Sequence, residues 1–92
     1  MQLLEFFITS KTRRKIIAVY TKYPDFKIHV RGLAKMVKED PGNVQRELIR
    51  MEDVGFVRAE KDGNTKVYYA NQKFILYKEL QSMVLKSQSK RR

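Results

Sequence analysis

A mainly α fold with one small β-hairpin is predicted by three observations. Apolar residues recur at helical spacing between recognisable caps, the pattern turns β-prone after Gly55, and Asp62-Gly63-Asn64 marks a tight turn between two short strands. The 92 residues, 42% of them hydrophobic, suffice for one compact domain with a modest core. The absence of cysteine excludes a disulfide framework, thiolate metal sites and cysteine nucleophiles, and points to the cytoplasm. Twenty Lys+Arg against 10 Asp+Glu leave a net charge of +10, which places the chain among small, strongly basic folded proteins.

The opening Met-Gln-Leu-Leu-Glu-Phe-Phe-Ile reads as a short amphipathic helix over 1–8. It contains Glu5 and turns polar by Thr9, too early for a signal peptide or a membrane span. Ser10 is a good N-cap for a helix over 11–22, whose apolar positions Ile16, Val19, Tyr20 and Tyr23 run until Pro24 stops it. Lys27-Ile28-His29 reads as a very short strand, and Val30, Leu33, Ala34 and Val37 mark the buried stripe of a second short helix. Asp40 caps the next helix with Pro41 at its first position, where a missing N–H costs nothing, and Gly55 ends it. Strands over 56–61 and 65–70 follow. Asn71 is expected to cap a last helix over 73–86, and residues 87–92 form a cationic tail expected to be disordered. The order is α-α-β-α-α-β-β-α, with residues 1–86 as one unit.

Helix, short helix, tight turn, helix and β-hairpin is the order of a winged helix-turn-helix, in which the third helix enters the DNA major groove. The runs Val30-Arg31-Gly32-Leu33-Ala34-Lys35-Met36-Val37, Pro41-Gly42-Asn43-Val44-Gln45-Arg46-Glu47-Leu48 and Met51-Glu52-Asp53-Val54-Gly55-Phe56-Val57 resemble the core of ArsR-like and MarR-like repressors. Gly63 to Asn71 is similar to the wing and exit strand of that superfamily, so the resemblance spans about residues 10–72. It implies transcriptional regulation through double-stranded DNA, as a repressor and usually as a homodimer. Winged helices also bind proteins and RNA, so an adaptor docking an acidic protein or RNA is the alternative.

On a 100°-per-residue wheel Val44, Leu48 and Met51 fall within about 60° of one another, which turns Gly42, Asn43, Arg46 and Arg50 outward, flanked by Gln45 and Ile49. Arg can bond both major-groove acceptors of guanine, Asn and Gln suit adenine, and Gly42 permits close backbone approach to a phosphate. Glu47 and Asp53 would repel phosphates and read as solvent-exposed. Lys11, Arg13, Arg14 and Lys15 crowd a helix N-terminus, where cations are unfavourable unless a phosphate lies nearby, and Arg31 raises the same issue. These four residues Lys11, Arg13, Arg14 and Arg31 are the expected phosphate contacts, and Arg58, Lys61, Asn64, Thr65 and Lys66 the expected wing contacts. A solvated surface is the competing reading of all these charges. Tyr68 and Tyr69 read as strand packing, with one hydroxyl outward.

The last helix carries an apolar arc wider than its own core needs. At 1.5 Å per residue its length of about 21 Å suits packing against a two-fold mate. Leu3, Leu4, Phe7, Phe74, Tyr77, Leu80, Met83 and Val84 are therefore the expected dimer interface, with capping of the monomer core as the competing reading. A lone histidine, His29, without cysteines does not supply the ligands by which many ArsR-like relatives sense soft metals, so no metal or cofactor is expected. The acids lack a convergent base or phosphate loop, so no enzyme is expected, and the apolar arc of the last helix is not expected to serve a membrane surface.

Overall fold

Ser10 sets the first boundary. In the computed structural model, which describes residues 3–89, α1 (Leu3–Ile8) ends just before it, and its hydroxyl oxygen accepts from the Arg13 N–H at 3.2 Å to open α2 (Lys11–Lys22). Strand β1 is Lys27–Ile28, and α3 (Val30–Val37) buries Leu33, Ala34 and Val37. At the tight turn, Lys38 takes a left-handed conformation at φ 58°, a position that a side chain other than glycine's occupies at a cost of about 1–2 kcal/mol. Asp40 then accepts from the Asn43 N–H at 3.1 Å, Pro41 takes the first helical position, and α4 runs Pro41–Val54 to a left-handed Gly55. These boundaries follow the caps seen in the sequence.

Strands β2 (Val57–Asp62) and β3 (Thr65–Ala70) form an antiparallel hairpin, and β1 adds to the other side of β3 to give the order β1-β3-β2. Register pairs Asp62 with Thr65 and Lys61 with Lys66, leaving Gly63-Asn64 as a two-residue loop. Gly63 has φ 66° at the first loop position, the place where a type II′ hairpin turn requires glycine.

The last helix, α5, starts and ends later than expected, over Tyr77–Ser89. Asn71 does not cap it: its side-chain amide donates to the Gly55 carbonyl at 2.9 Å and its side-chain oxygen accepts from the Lys73 N–H at 3.2 Å. The chain therefore makes successive turns closed by Phe74 N–H to Asn71 O and Tyr77 N–H to Phe74 O, both 2.9 Å, before it coils. Residues 87–89 are helical, contrary to the disordered tail expected there, and 90–92 lie outside the described residues.

The core corrects half of the expected dimer interface. Phe7, Phe56 and Phe74 pack with ring centroids 5.5–5.8 Å apart, and Tyr77 stacks on Phe56 at 6.0 Å. Phe7, Phe74, Tyr77 and Leu80 are thus buried within this chain, because α5 folds back over α2 and covers that part of its own arc. The Tyr77 hydroxyl donates to Tyr20 O at 2.7 Å and the Tyr20 hydroxyl to Tyr68 O at 3.0 Å, a ladder joining α5, α2 and the sheet. Burial pushes the pKa of both phenols up and keeps them as neutral donors. The side chains of Leu3 and Leu4 lie outside the described residues.

Candidate nucleic-acid interface

Val44, Leu48 and Met51 are 0% exposed, so α4 has the orientation its spacing implies and presents Gln45, Arg46, Ile49 and Arg50 to solvent. The Arg46 guanidinium donates to the Asn43 side-chain oxygen, which holds the two along one edge of the helix. At Gly42 the structure supplies a local reason for glycine. A Cβ there would lie 2.9 Å from the capping Asp40 Oδ2, so a side chain at this position would push the capping carboxylate aside.

An open groove joins three elements: Arg31 from the start of α3, Gln45 from α4, and Thr65 with Lys66 from the hairpin. His29 lies at its edge, with Nε2 2.9 Å from Asp62 Oδ2, and so ties the first residue before α3 to the hairpin tip. Lys61 and Lys66 sit directly opposite each other across the hairpin, a like-charge pair that destabilises a sheet unless an anion lies nearby. Asn64 occupies the exposed loop beside them.

Arg58 does not join that group. Register places it beside Tyr69 and Lys27 on the other face of the sheet, where Lys27 Nζ lies 5.0 Å above the Tyr69 ring and 3.3 Å from Glu60 Oε2. Arg58 lines a separate groove there with Asp25 and Lys73. Tyr68 is buried and Tyr69 half-buried, both as strand packing.

The cations at the start of α2 are mostly committed inside the molecule. Arg13 is 7% exposed: Nε donates to Glu47 Oε1 at 2.5 Å, Nη1 to Phe6 O at 2.5 Å, and its guanidinium lies 4.0 Å above the Phe6 ring. It is a structural residue closed to phosphate, and Glu47 is its half-buried counterion rather than a solvent-facing acid. Arg14 Nη1 donates to Ile8 O at 2.6 Å, capping the end of α1 while staying exposed. Lys15 Nζ donates to Glu39 Oε2 at 2.7 Å and Val37 O at 3.0 Å, binding α2 to the end of α3. That bond from Lys15 holds the Glu39 carboxyl below its ordinary pKa, so its contribution is present at neutral pH and is lost as pH falls through the lowered value. Lys11 and Arg31 remain exposed.

A third, mostly apolar groove runs between α1, α2 and α5, where Ile8, Ala18, Leu80, Met83 and Val84 line it together with Arg14. Met83 is 43% exposed and Leu85 58%, so this end of α5 carries the apolar surface that the core does not cover. Among the described residues no helix is long and apolar enough to cross a membrane, and no group of three or more His, Asp or Glu side chains is placed to hold a metal.

No protein-family model matches the sequence, and neither does any curated protein. Solved structures do. The antimony-specific transcriptional repressor AntR is similar over 98% of this chain and 79% of its own, with a TM-score of 0.73 and 22% identity. The transcriptional regulator SlyA matches over 95% of this chain and 59% of its own, with a TM-score of 0.71 and 19% identity. A predicted DNA-binding transcriptional regulator from E. coli matches over 94% and 83%, with a TM-score of 0.68 and 14% identity. Together with the helix order and the three-stranded sheet, these likenesses identify the fold as a winged helix-turn-helix.

Proposed function

We propose that this chain is a sequence-specific double-stranded DNA-binding transcriptional repressor that acts as a homodimer, with α4 in the major groove and the β2-β3 hairpin as the wing. The observation that carries this reading is the groove in which Arg31, Gln45, Thr65 and Lys66 converge beside the exposed Arg46 and Arg50. Cations from separate elements, Arg31 from α3, Arg46 from α4 and Lys66 from the hairpin, suit a polyanion whose phosphates run past all of them. The fold shared with repressors and regulators of transcription supports the same reading. Dimerisation is supported by Ile8, Met83, Val84 and Leu85, apolar side chains left exposed or half-buried at the α1/α5 end, where the contacts between subunits are proposed to lie.

Selection of random duplexes by the full chain tests both parts at once. It is expected to enrich a palindrome whose half-sites lie one helical turn, about 34 Å, apart. Arg46→Ala is expected to lose roughly 1–3 kcal/mol of discrimination at one base pair of each half-site. Equal affinity for single-stranded RNA, or no enrichment of any duplex, overturns the proposal in favour of an adaptor. Enrichment of single, unrepeated sites overturns the homodimer.

A further inference from the structure

The Glu47 carboxylate has one oxygen fixed and one offered. Oε1 is held at 2.5 Å by the buried Arg13, whose own guanidinium is locked by the Phe6 carbonyl and ring. Oε2 faces Arg50 Nη1 at 3.5 Å, one helical turn on, and Arg50 is otherwise exposed. A carboxylate pinned at one oxygen cannot swing freely about its last torsion, so its second oxygen becomes a fixed reference point for a mobile neighbour. Arginine has several rotatable bonds and five donors, and one contact can steer the side chain while leaving most of its fork open.

We infer that Arg13 and Glu47 are positioning residues that pre-orient Arg50 as a base-reading side chain. This rests on the duplex-DNA reading above. The acid on the DNA-facing helix, which alone would repel phosphate, serves to present an arginine. Immobilising a long side chain on binding costs about 0.5–1.5 kcal/mol, so an Arg50 ordered in advance strengthens binding by roughly 2- to 12-fold at each half-site.

The test is the double substitution Arg13→Met/Glu47→Leu, which removes the buried pair together, leaves net charge unchanged and replaces both side chains with apolar ones of similar length. Binding is measured by anisotropy on the selected duplex and on the set varied at the base pair whose preference Arg50→Ala abolishes. The expected result is a loss of roughly 2- to 12-fold per half-site on the preferred duplex only, an unchanged salt slope, and a smaller effect of Arg50→Ala in this background than in the natural chain. Relaxation of the Arg50 Nε–Hε group in the free natural protein gives a readout that needs no variant. It is expected to be more ordered than that of Arg31, and equal mobility overturns the inference. Full discrimination in the double variant overturns it too, while leaving the DNA reading intact. A natural chain that binds no duplex overturns both.

Discussion

Arg13→Ala is expected to destabilise the fold by about 3–5 kcal/mol, because it takes the buried partner from the Glu47 carboxylate and leaves it only the exposed Arg50 at 3.5 Å, in a site largely closed to water. Against a typical total of about 5–15 kcal/mol for a domain, that is a large share, and a substantial unfolded fraction should be visible at 37 °C. The same substitution also leaves the Phe6 carbonyl without its donor and removes the cation above the Phe6 ring, so α1 should loosen along with α4. Arg14→Ala, one residue along, removes a solvent-exposed contact to Ile8 O and is expected to cost no more than about 1 kcal/mol. Urea denaturation followed by circular dichroism measures both. Similar small losses for the two variants would contradict the placement of Arg13.

The second large effect concerns binding. Arg31→Ala/Lys66→Ala removes two cations that converge on the groove from α3 and the hairpin. Each neutralised phosphate contributes about −0.9 to the slope of log K against log[salt], so the slope should shrink in magnitude by about 1.8 per subunit, about 3.6 for the homodimer, and by the same amount for all duplexes. Arg58→Ala should leave the slope unchanged, since its side chain lies on the far face of the sheet beside Tyr69. A slope reduced by Arg58→Ala and indifferent to the double variant would place the nucleic acid on the wrong side of the hairpin for this account.

What could be read from the sequence was what is decided locally. Ser10, Asp40-Pro41, Gly55 and Gly63 each fix a boundary through a bond or a φ angle within a few residues, and the stripe Val44, Leu48, Met51 fixes the orientation of α4. Asn71 misled because the same side chain suits a helix cap and a turn, and only the nearby Gly55 carbonyl decides between them. Arg13 misled because its partner lies 34 residues away, so the sequence displayed a charge without its counterion. The apolar arc of α5 had no way to announce whether α2 or a second subunit would cover it. Arg58 was legible: with Gly63-Asn64 as the loop, it stands three residues from Lys61, and an odd offset along a strand means the opposite face.

The central claim is that one surface, built from α4, the start of α3 and the hairpin tip, meets the double helix. Chemical-shift mapping of the full chain titrated with its selected duplex tests it most directly. The account requires the largest changes at Arg31, Gln45, Arg46, Thr65 and Lys66, with Lys27, Arg58 and Tyr69 little affected. Changes centred instead on Lys27, Arg58 and Tyr69, with the α4 surface silent, would contradict it.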